Sequence, residues 1–271
     1  MKNPKISIIT VSYNSADTIK DTILSVNNQI FKDIEHIFVD GKSTDNTVNI
    51  IKKNSRHMSF LLSEKDDGMY FALNKGIEIA KGEIIGILNS DDKYSDPSVL
   101  EIIYDVFRKN TCSIVWGNTL IIKRQNKKIK RDYNGEFDPI KCFEYGIMPP
   151  HPSVFIKKEI YNNYGLFNTA YKISADYELL LRFFKQKKVK AKYINKNLVH
   201  MQHGGMSSKS LLSNLEVNKQ IALINKHFGI ATTITKLLFK IIVRITERIQ
   251  FMHLRKYLLR INMKIDDKYY A

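Results

Sequence analysis

Residues 83–92, EIIGILNSDD, decide how the first half of the chain folds. Glu83 to Leu88 is a largely apolar run of strand length, and it stops at Asn89, a turn former followed by a serine and two acids. Just upstream, residues from about Tyr70 to Lys81 read as a helix halted by Gly82. The same unit recurs toward the N-terminus. Phe60 to Ser63 is a short strand, His36 to Val39 another that ends at Asp40-Gly41, and residues 5–11 (KISIITV) a β-branched strand bounded by Pro4 and Asn14. Ser15 offers a cap for a helix to about Asn28 with Asp17 in its first turn, and Ser43, Thr44 and Asp45 offer caps for one through Lys53. Strands alternating with helices at this spacing predict an α/β fold, a doubly wound, mostly parallel sheet flanked by helices. Ligands of such sheets bind beyond the carboxyl ends of the strands, where Asp40, Glu64 to Asp67 and Asn89 to Asp92 would converge.

The second half is less regular. Ser113 to Lys123 and Lys128 to Tyr133 read as a hairpin, Pro149 to Ile156 leads into a strand, Asp176 to Phe184 is a helical run, and Val189 to Ile194 is a further strand. Beyond Ser207 the pattern is helical, with a break at Gly229. The parse is one domain over residues 1–230, with halves of about 1–110 and 111–230, followed by a helical tail over 231–271. No apolar h-region or membrane-spanning stretch is found, and Cys112 and Cys142 have neither zinc nor disulfide spacing, which fits a reducing, cytoplasmic setting.

The net charge is +16, and such an excess attracts nucleic acid, anionic lipid or a phosphorylated substrate. It lies in Lys123 to Arg131, Lys185 to Lys196 and Lys236 to Lys264. In the tail, Lys236, Lys240, Arg244 and Arg248 recur every four residues while Leu238, Phe239, Ile242, Ile245 and Ile249 lie mainly elsewhere around the helix. That is a basic amphipathic helix able to lie on an anionic membrane surface, peripheral to the inner face of the cell membrane. The competing use is packing on the domain or on a second copy of the chain, which would make a homo-oligomer. A nucleic-acid partner is not expected, because acids gathered at strand ends would repel phosphates and no stacking or zinc motif is present.

Adjacent Asp91 and Asp92 can hold a hard divalent cation through oxygen ligands, Mn²⁺ or Mg²⁺, bridging a diphosphate; the same residues could instead cap a helix at Pro97. Asp40 at a strand tip can accept hydrogen bonds from a base or ribose, or serve as a turn residue. In Asp67-Gly68-Met69-Tyr70, the glycine permits close approach of backbone to a ligand, or simply starts the helix that carries Asn74-Lys75-Gly76. Asp176 begins a helix, where it serves as a cap, a catalytic carboxylate, or both. No G-x-G-x-x-G follows the first strand and no phosphate-binding G-x-x-x-x-G-K-[ST] occurs, which argues against a dehydrogenase and an ATPase. A sugar nucleotidyltransferase shares much of the architecture but calls for a glycine- and arginine-rich first loop.

Taken together, ISIITVSYN, FVDGKSTDNT, DDGMYFALNKGIEIAKGEIIGILNSDD and ISADYELLLRF resemble, in order and spacing, glycosyltransferase family 2 over roughly residues 5–207, and within it the bacterial polysaccharide-assembly branch. The resemblance implies a GT-A fold and inverting, metal-dependent transfer from a nucleotide-sugar donor, UDP-linked by default, to a hydroxyl of a glycan acceptor. A lipid-linked oligosaccharide of O-antigen, capsule or exopolysaccharide assembly is the acceptor it suggests. It places Thr10, Val11, Ser12, Tyr13 and Asp40 along the nucleoside pocket, Asp67 near the base or ribose, and Asp91 and Asp92 at the metal and diphosphate. Asn89 stands where the common D-x-D-D form has its first Asp. Asp176 matches the general base, and His200 to Ser207 the loop that closes over the donor, with His203 as a further metal ligand. His151 borders the acceptor side.

Overall fold

The computed structural model describes residues 3–123, 129–202 and 211–231, together with positions 236, 239 and 243. Its elements follow in chain order as β1 (Ile6–Ser12), α1 (Ile19–Asn27), β2 (Ile34–Asp40), α2 (Thr47–Asn54), β3 (Met58–Ser63), α3 (Met69–Ile79), β4 (Ile84–Ile87), β5 (Lys93–Tyr94) and α4 (Val99–Lys109). The second half supplies β6 (Ile114–Ile122), β7 (Ile129–Tyr133), α5 (Pro139–Cys142), β8 (Val154–Lys157), α6 (Lys158–Tyr164), α7 (Ala175–Leu181), β9 (Ala191–Gln202) and α8 (Leu211–His227). One sheet runs β3-β2-β1-β4-β8-β6-β9-β5, with β7 paired to β6.

β1 to β4 are parallel, as the alternation of strand and helix predicts. Beyond them the sheet becomes mixed: β8 runs antiparallel to β4 and β6, whereas β9 runs parallel to β6 and antiparallel to β5. β1 and β2 are buried at every position, as the centre of a sheet covered on both faces requires. One apolar layer, including Ile9, Ile37, Leu73, Ile77, Trp116 and Phe183, lies on the face that carries α3 and α7; a second, including Ile8, Ile84, Ile103 and Phe107, lies under α4.

Three local expectations are corrected. Helix α1 starts at Ile19, because Ser15 is occupied otherwise: its N–H donates to Thr47 Oγ1 at 2.7 Å, and its hydroxyl meets Ser90 Oγ at 2.9 Å. The helix after Pro97 is capped by neither Asp91 nor Asp92; Asp96 Oδ1 accepts from the Ser98 N–H at 2.8 Å. Strand β9 is far longer than Val189 to Ile194, since it pairs with β6 and then with β5, so His200 lies in a strand opposite Lys93.

Of the tail, Lys236 pairs with Glu144 at 2.8 Å, and Phe239 and Val243 pack with Phe137, Cys142, Tyr145 and Ile147. These helix-spaced positions lie against the domain, the competing use named for the tail. The rest of the basic stripe lies outside the described residues. Among the described residues no helix is long and apolar enough to cross a membrane.

Candidate active site

The loops after β1 and β2 knit together at the carboxyl end of the sheet. Asn14 takes the left-handed conformation (φ 47°), and its Oδ1 accepts from Thr44 N–H at 2.9 Å while its own N–H donates to Ser43 Oγ at 2.8 Å. Asp40 is fully buried beneath them. Its Oδ1 accepts from the hydroxyls of Ser12 (2.8 Å) and Ser43 (2.5 Å), and its Oδ2 from Ser43 N–H (2.8 Å) and Ser63 Oγ (2.7 Å). Both carboxylate oxygens are therefore engaged by the chain itself, and Asp40 ties the ends of β1 and β3 to the loop after β2.

Of the neighbouring residues expected along a nucleoside pocket, Thr10 and Val11 have their side chains turned inward. Thr10 Oγ1 donates to Leu88 O at 2.7 Å and therefore accepts from His36 Nε2 at 2.9 Å, and Val11 belongs to the core. Burial lowers the His36 pKa from 6.5 to about 3, so the ring is neutral. Ser12 is spent on Asp40. Tyr13 alone of the four is open, 65% exposed, with its ring against Gly41.

On the next strand ends, Asp67 is exposed whereas Asp66 is not. Asp66 Oδ1 and Glu64 Oε1 both accept from Lys75 Nζ at 2.5 Å, and these acids raise the lysine pKa. Gly68 has φ +138°, a conformation only glycine adopts comfortably, and it turns the chain into α3. Gly76 has a packing role: a Cβ there would lie 2.5 Å from Ile9 Cγ2, so glycine lets α3 sit down on β1.

The turn after β4 is held from α1, whose Thr22 hydroxyl donates to Asp92 O at 2.7 Å. Asp92 is 1% exposed. Its Oδ2 accepts from Asn89 Nδ2 at 3.1 Å, and the nearby backbone N–H of Gln202 favours the charged carboxylate. Its Oδ1 is buried with no partner among the described residues. Burial first, and the adjacent Asp91 charge second, push the Asp92 pKa well above the usual carboxylate range. Asn89 thus supplies a donor where an acid would add a third negative charge. Among the described residues no three His, Cys, Asp or Glu side chains converge as a metal cage. Two adjacent carboxylates with one orphaned oxygen nevertheless suit a hard cation whose remaining ligands come from a diphosphate and water. His203 lies outside the described residues. His200 answers to burial, Lys93 and Asp96 rather than to Asp91 or Asp92.

Across the sheet, Asp176 stands half-buried at the start of α7. Its Oδ1 accepts from Tyr177 N–H at 2.8 Å and from Tyr70 OH at 3.2 Å, and among the described residues no hydrogen bond falls on Oδ2. His151, on the turn before β8, lies edge-on to Phe167 with ring centroids 5.7 Å apart. Burial lowers its pKa while Asp176 pulls it upward, so the imidazole and this carboxylate are neighbours. Glu178 has another employment, a bidentate ion pair with Arg182 at 2.9 and 3.1 Å.

The architecture is the GT-A type of α/β fold. Residues 7–190 match the family described as glycosyl transferase family 2, and the chain belongs to that family. It is 29% identical over 181 residues, 66% of its length and 68% of the relative's, to an uncharacterized glycosyltransferase of Mycobacterium tuberculosis strain H37Rv. It is 25% identical over 233 residues, 82% of its length and 88% of the relative's, to a PGL/p-HBAD biosynthesis glycosyltransferase of Mycobacterium bovis strain BCG. The crystal structure of residues 1–349 of S. aureus TarS in complex with UDP superposes with a TM-score of 0.61 at 18% identity, covering 81% of this chain and 65% of that one. This chain spans 39% of the longer TarS crystal structure. The protein is a glycosyltransferase, which sets aside the nucleotidyltransferase alternative.

The sequence singled out Tyr70 only as part of Asp67-Gly68-Met69-Tyr70, with no role for its hydroxyl, and gave no sign of the Ser63 bond to Asp40 or of the Glu178–Arg182 pair. Only the i, i+4 spacing of Tyr70 and Asn74 on α3 offered a signal.

Proposed function

We propose that the protein is an inverting glycosyltransferase that moves a sugar from a nucleoside-diphosphate donor, UDP-linked, to a hydroxyl of a lipid-linked glycan in surface polysaccharide assembly. The observation that carries this reading is the pairing of two carboxylates that each keep an oxygen without a hydrogen bond among the described residues: Asp92, buried beside Asp91, and the separate Asp176. Relatives support the donor and acceptor classes: TarS has been crystallised with UDP and UDP-GlcNAc, and a chondroitin synthase of Escherichia coli is 28% identical over 183 residues.

On this reading Tyr13 offers its exposed ring to the nucleoside, Asp67 lies near the ribose, and Asp40 acts through the three serines it holds. Mn²⁺ or Mg²⁺ on Asp91, Asp92 and His203 would offset the charge that builds on the departing diphosphate. Support for His203 is its sequence neighbour Gln202, whose N–H reaches Asp92. Asp176 takes the acceptor hydroxyl proton on Oδ2 as the acceptor oxygen bonds to the anomeric carbon and the bond from that carbon to the diphosphate breaks. His151 flanks the acceptor. The tail would add contact with an anionic membrane surface through Lys240, Arg244 and Arg248.

The test is thermal melting with UDP, GDP and dTDP, each with and without Mn²⁺, on the wild type and Asp92→Asn. A bound nucleotide stabilises in proportion to its occupancy, by about 2.7 kcal/mol at a hundredfold excess over Kd. UDP should raise the melting temperature of the wild type only with Mn²⁺, and that rise should vanish in Asp92→Asn. Equal stabilisation of both proteins in chelator would overturn the assignment.

A further inference from the structure

Helix α3 begins at the acids after β3 on the nucleotide side, yet its first two turns bond to a loop on the acceptor side. Tyr70 and Asn74 are one turn apart and therefore share a face. Asn74 makes a two-way clamp on Phe167: its Nδ2 donates to the carbonyl and its Oδ1 accepts from the N–H, both at 2.9 Å. The Tyr70 hydroxyl lies 2.7 Å from Ile173 O and 3.2 Å from Asp176 Oδ1, and its ring stacks on Phe167 with centroids 5.4 Å apart. The loop between these contacts is pinned from two other directions. Gln220 of α8 accepts from the N–H groups of Ile173 and Ser174 at 3.3 and 3.2 Å. Arg182 donates to the carbonyls of Tyr164, Gly165 and Leu166.

Every one of these bonds serves the segment that ends at Asp176, and only Tyr70 also touches the carboxylate. A phenol has a single proton to give, so the hydroxyl is shared between Ile173 O and Asp176 Oδ1. Tyr177 N–H holds the same oxygen, so both of these bonds fall on Oδ1. We infer that Tyr70 and Asn74 are positioning residues: they fasten the loop that carries Asp176 to the helix leaving the donor side, with Tyr70 orienting the carboxylate directly. The inference rests on the reading of Asp176 as the acceptor-side base.

The experiment compares Tyr70→Phe, Asn74→Ala and Asp176→Asn for donor affinity, turnover and the pH dependence of turnover. Tyr70→Phe keeps the stacked ring and removes the hydroxyl. A hydrogen bond lost from a carboxylate disfavours its charged form, so the acid limb of the profile should move upward by about one pH unit. Turnover at neutral pH should fall about tenfold, within the range of one hydrogen bond to a charged group, with donor affinity unchanged. The other titrating neighbours of Asp176 are His151, which all three variants retain, and Tyr70 itself, whose pKa is raised well above 10 by burial and by Asp176. Asn74→Ala should lower turnover without moving the limb, because Asn74 reaches the loop but not the carboxylate. An unshifted limb in Tyr70→Phe, or a loss that falls on donor affinity, would overturn the inference while leaving Asp176 as the base. Full turnover in Asp176→Asn would instead overturn the underlying assignment.

Discussion

Asp176 and Glu178 lie two residues apart on α7, and exchanging each for its amide should have opposite consequences. Glu178 is buried, its side chain 6% exposed, against an Arg182 side chain that is 13% exposed, with contacts of 2.9 and 3.1 Å. Removing one charge from a buried pair costs about 3–5 kcal/mol. Two features reduce that figure here: glutamine keeps one acceptor, and Arg182 retains the carbonyls of Tyr164, Gly165 and Leu166. Glu178→Gln should therefore cost about 2–3 kcal/mol, a fall in melting temperature of roughly 5–10 °C for a domain of this size. Asp176→Asn keeps Oδ1, so the bonds from Tyr177 N–H and Tyr70 OH survive, and stability should change by less than about 0.5 kcal/mol. Its turnover should fall by about 10²–10⁴, because the amide cannot take the acceptor proton. Thermal melts together with sugar transfer at saturating donor, below the melting point of both variants, separate the two effects. Silent transfer in a fully stable Glu178→Gln, beside an active Asp176→Asn, would show that the roles had been assigned the wrong way round.

The buried His36 makes a prediction about pH. Its pKa is about 3 in the fold against 6.5 in the unfolded chain, so its contribution is intact above pH 6.5 and is lost as the pH falls toward the folded value. The loss is about 1.4 kcal/mol per pH unit, or roughly 3 kcal/mol by about pH 4.5; urea midpoints should fall more steeply with acid in the wild type than in His36→Gln, and equal slopes would count against it. For the tail, deletion after Ile234 should lower the melting temperature, because Phe239 and Val243 fill an apolar cluster on the domain. Replacing Lys240, Arg244 and Arg248 together by glutamine should leave stability nearly unchanged but weaken binding to anionic vesicles; undiminished binding would assign the stripe to some other use.

The parallel half of the fold was legible because its signals are local. Each strand from β1 to β4 is a short apolar run that ends in a turn former, and each following helix carries its own stop. The mixed half was less legible because its pairings are distant. β9 takes its length from β6, 77 residues away at the Ile114–Ala191 pairing, and from β5, so nothing near His200 announces a strand. Serine was misread for a related reason. Ser15 has the composition of a helix cap, and whether it caps depends on Thr47 and Ser90, which the chain brings to it only after folding.

At the site, residue type was legible while orientation was not. Asp40 closes a strand, as a ligand would, but its four hydrogen bonds come from three serines, at the ends of β1 and β3 and on the loop after β2. A carboxylate so enclosed does more by holding those segments than by meeting a ligand directly. Asp92 shows the converse. Asn89 bonds one of its oxygens, and the other is buried and unmatched among the described residues; an unmatched buried acceptor beside a second carboxylate is costly unless something positive completes it. Asp40 ends β2 and Asp92 lies in the turn after β4, and both are buried, so burial cannot tell them apart. The donors supplied by the rest of the fold do: Asp40 is completed by the chain, and Asp92 keeps one buried oxygen without a partner among the described residues.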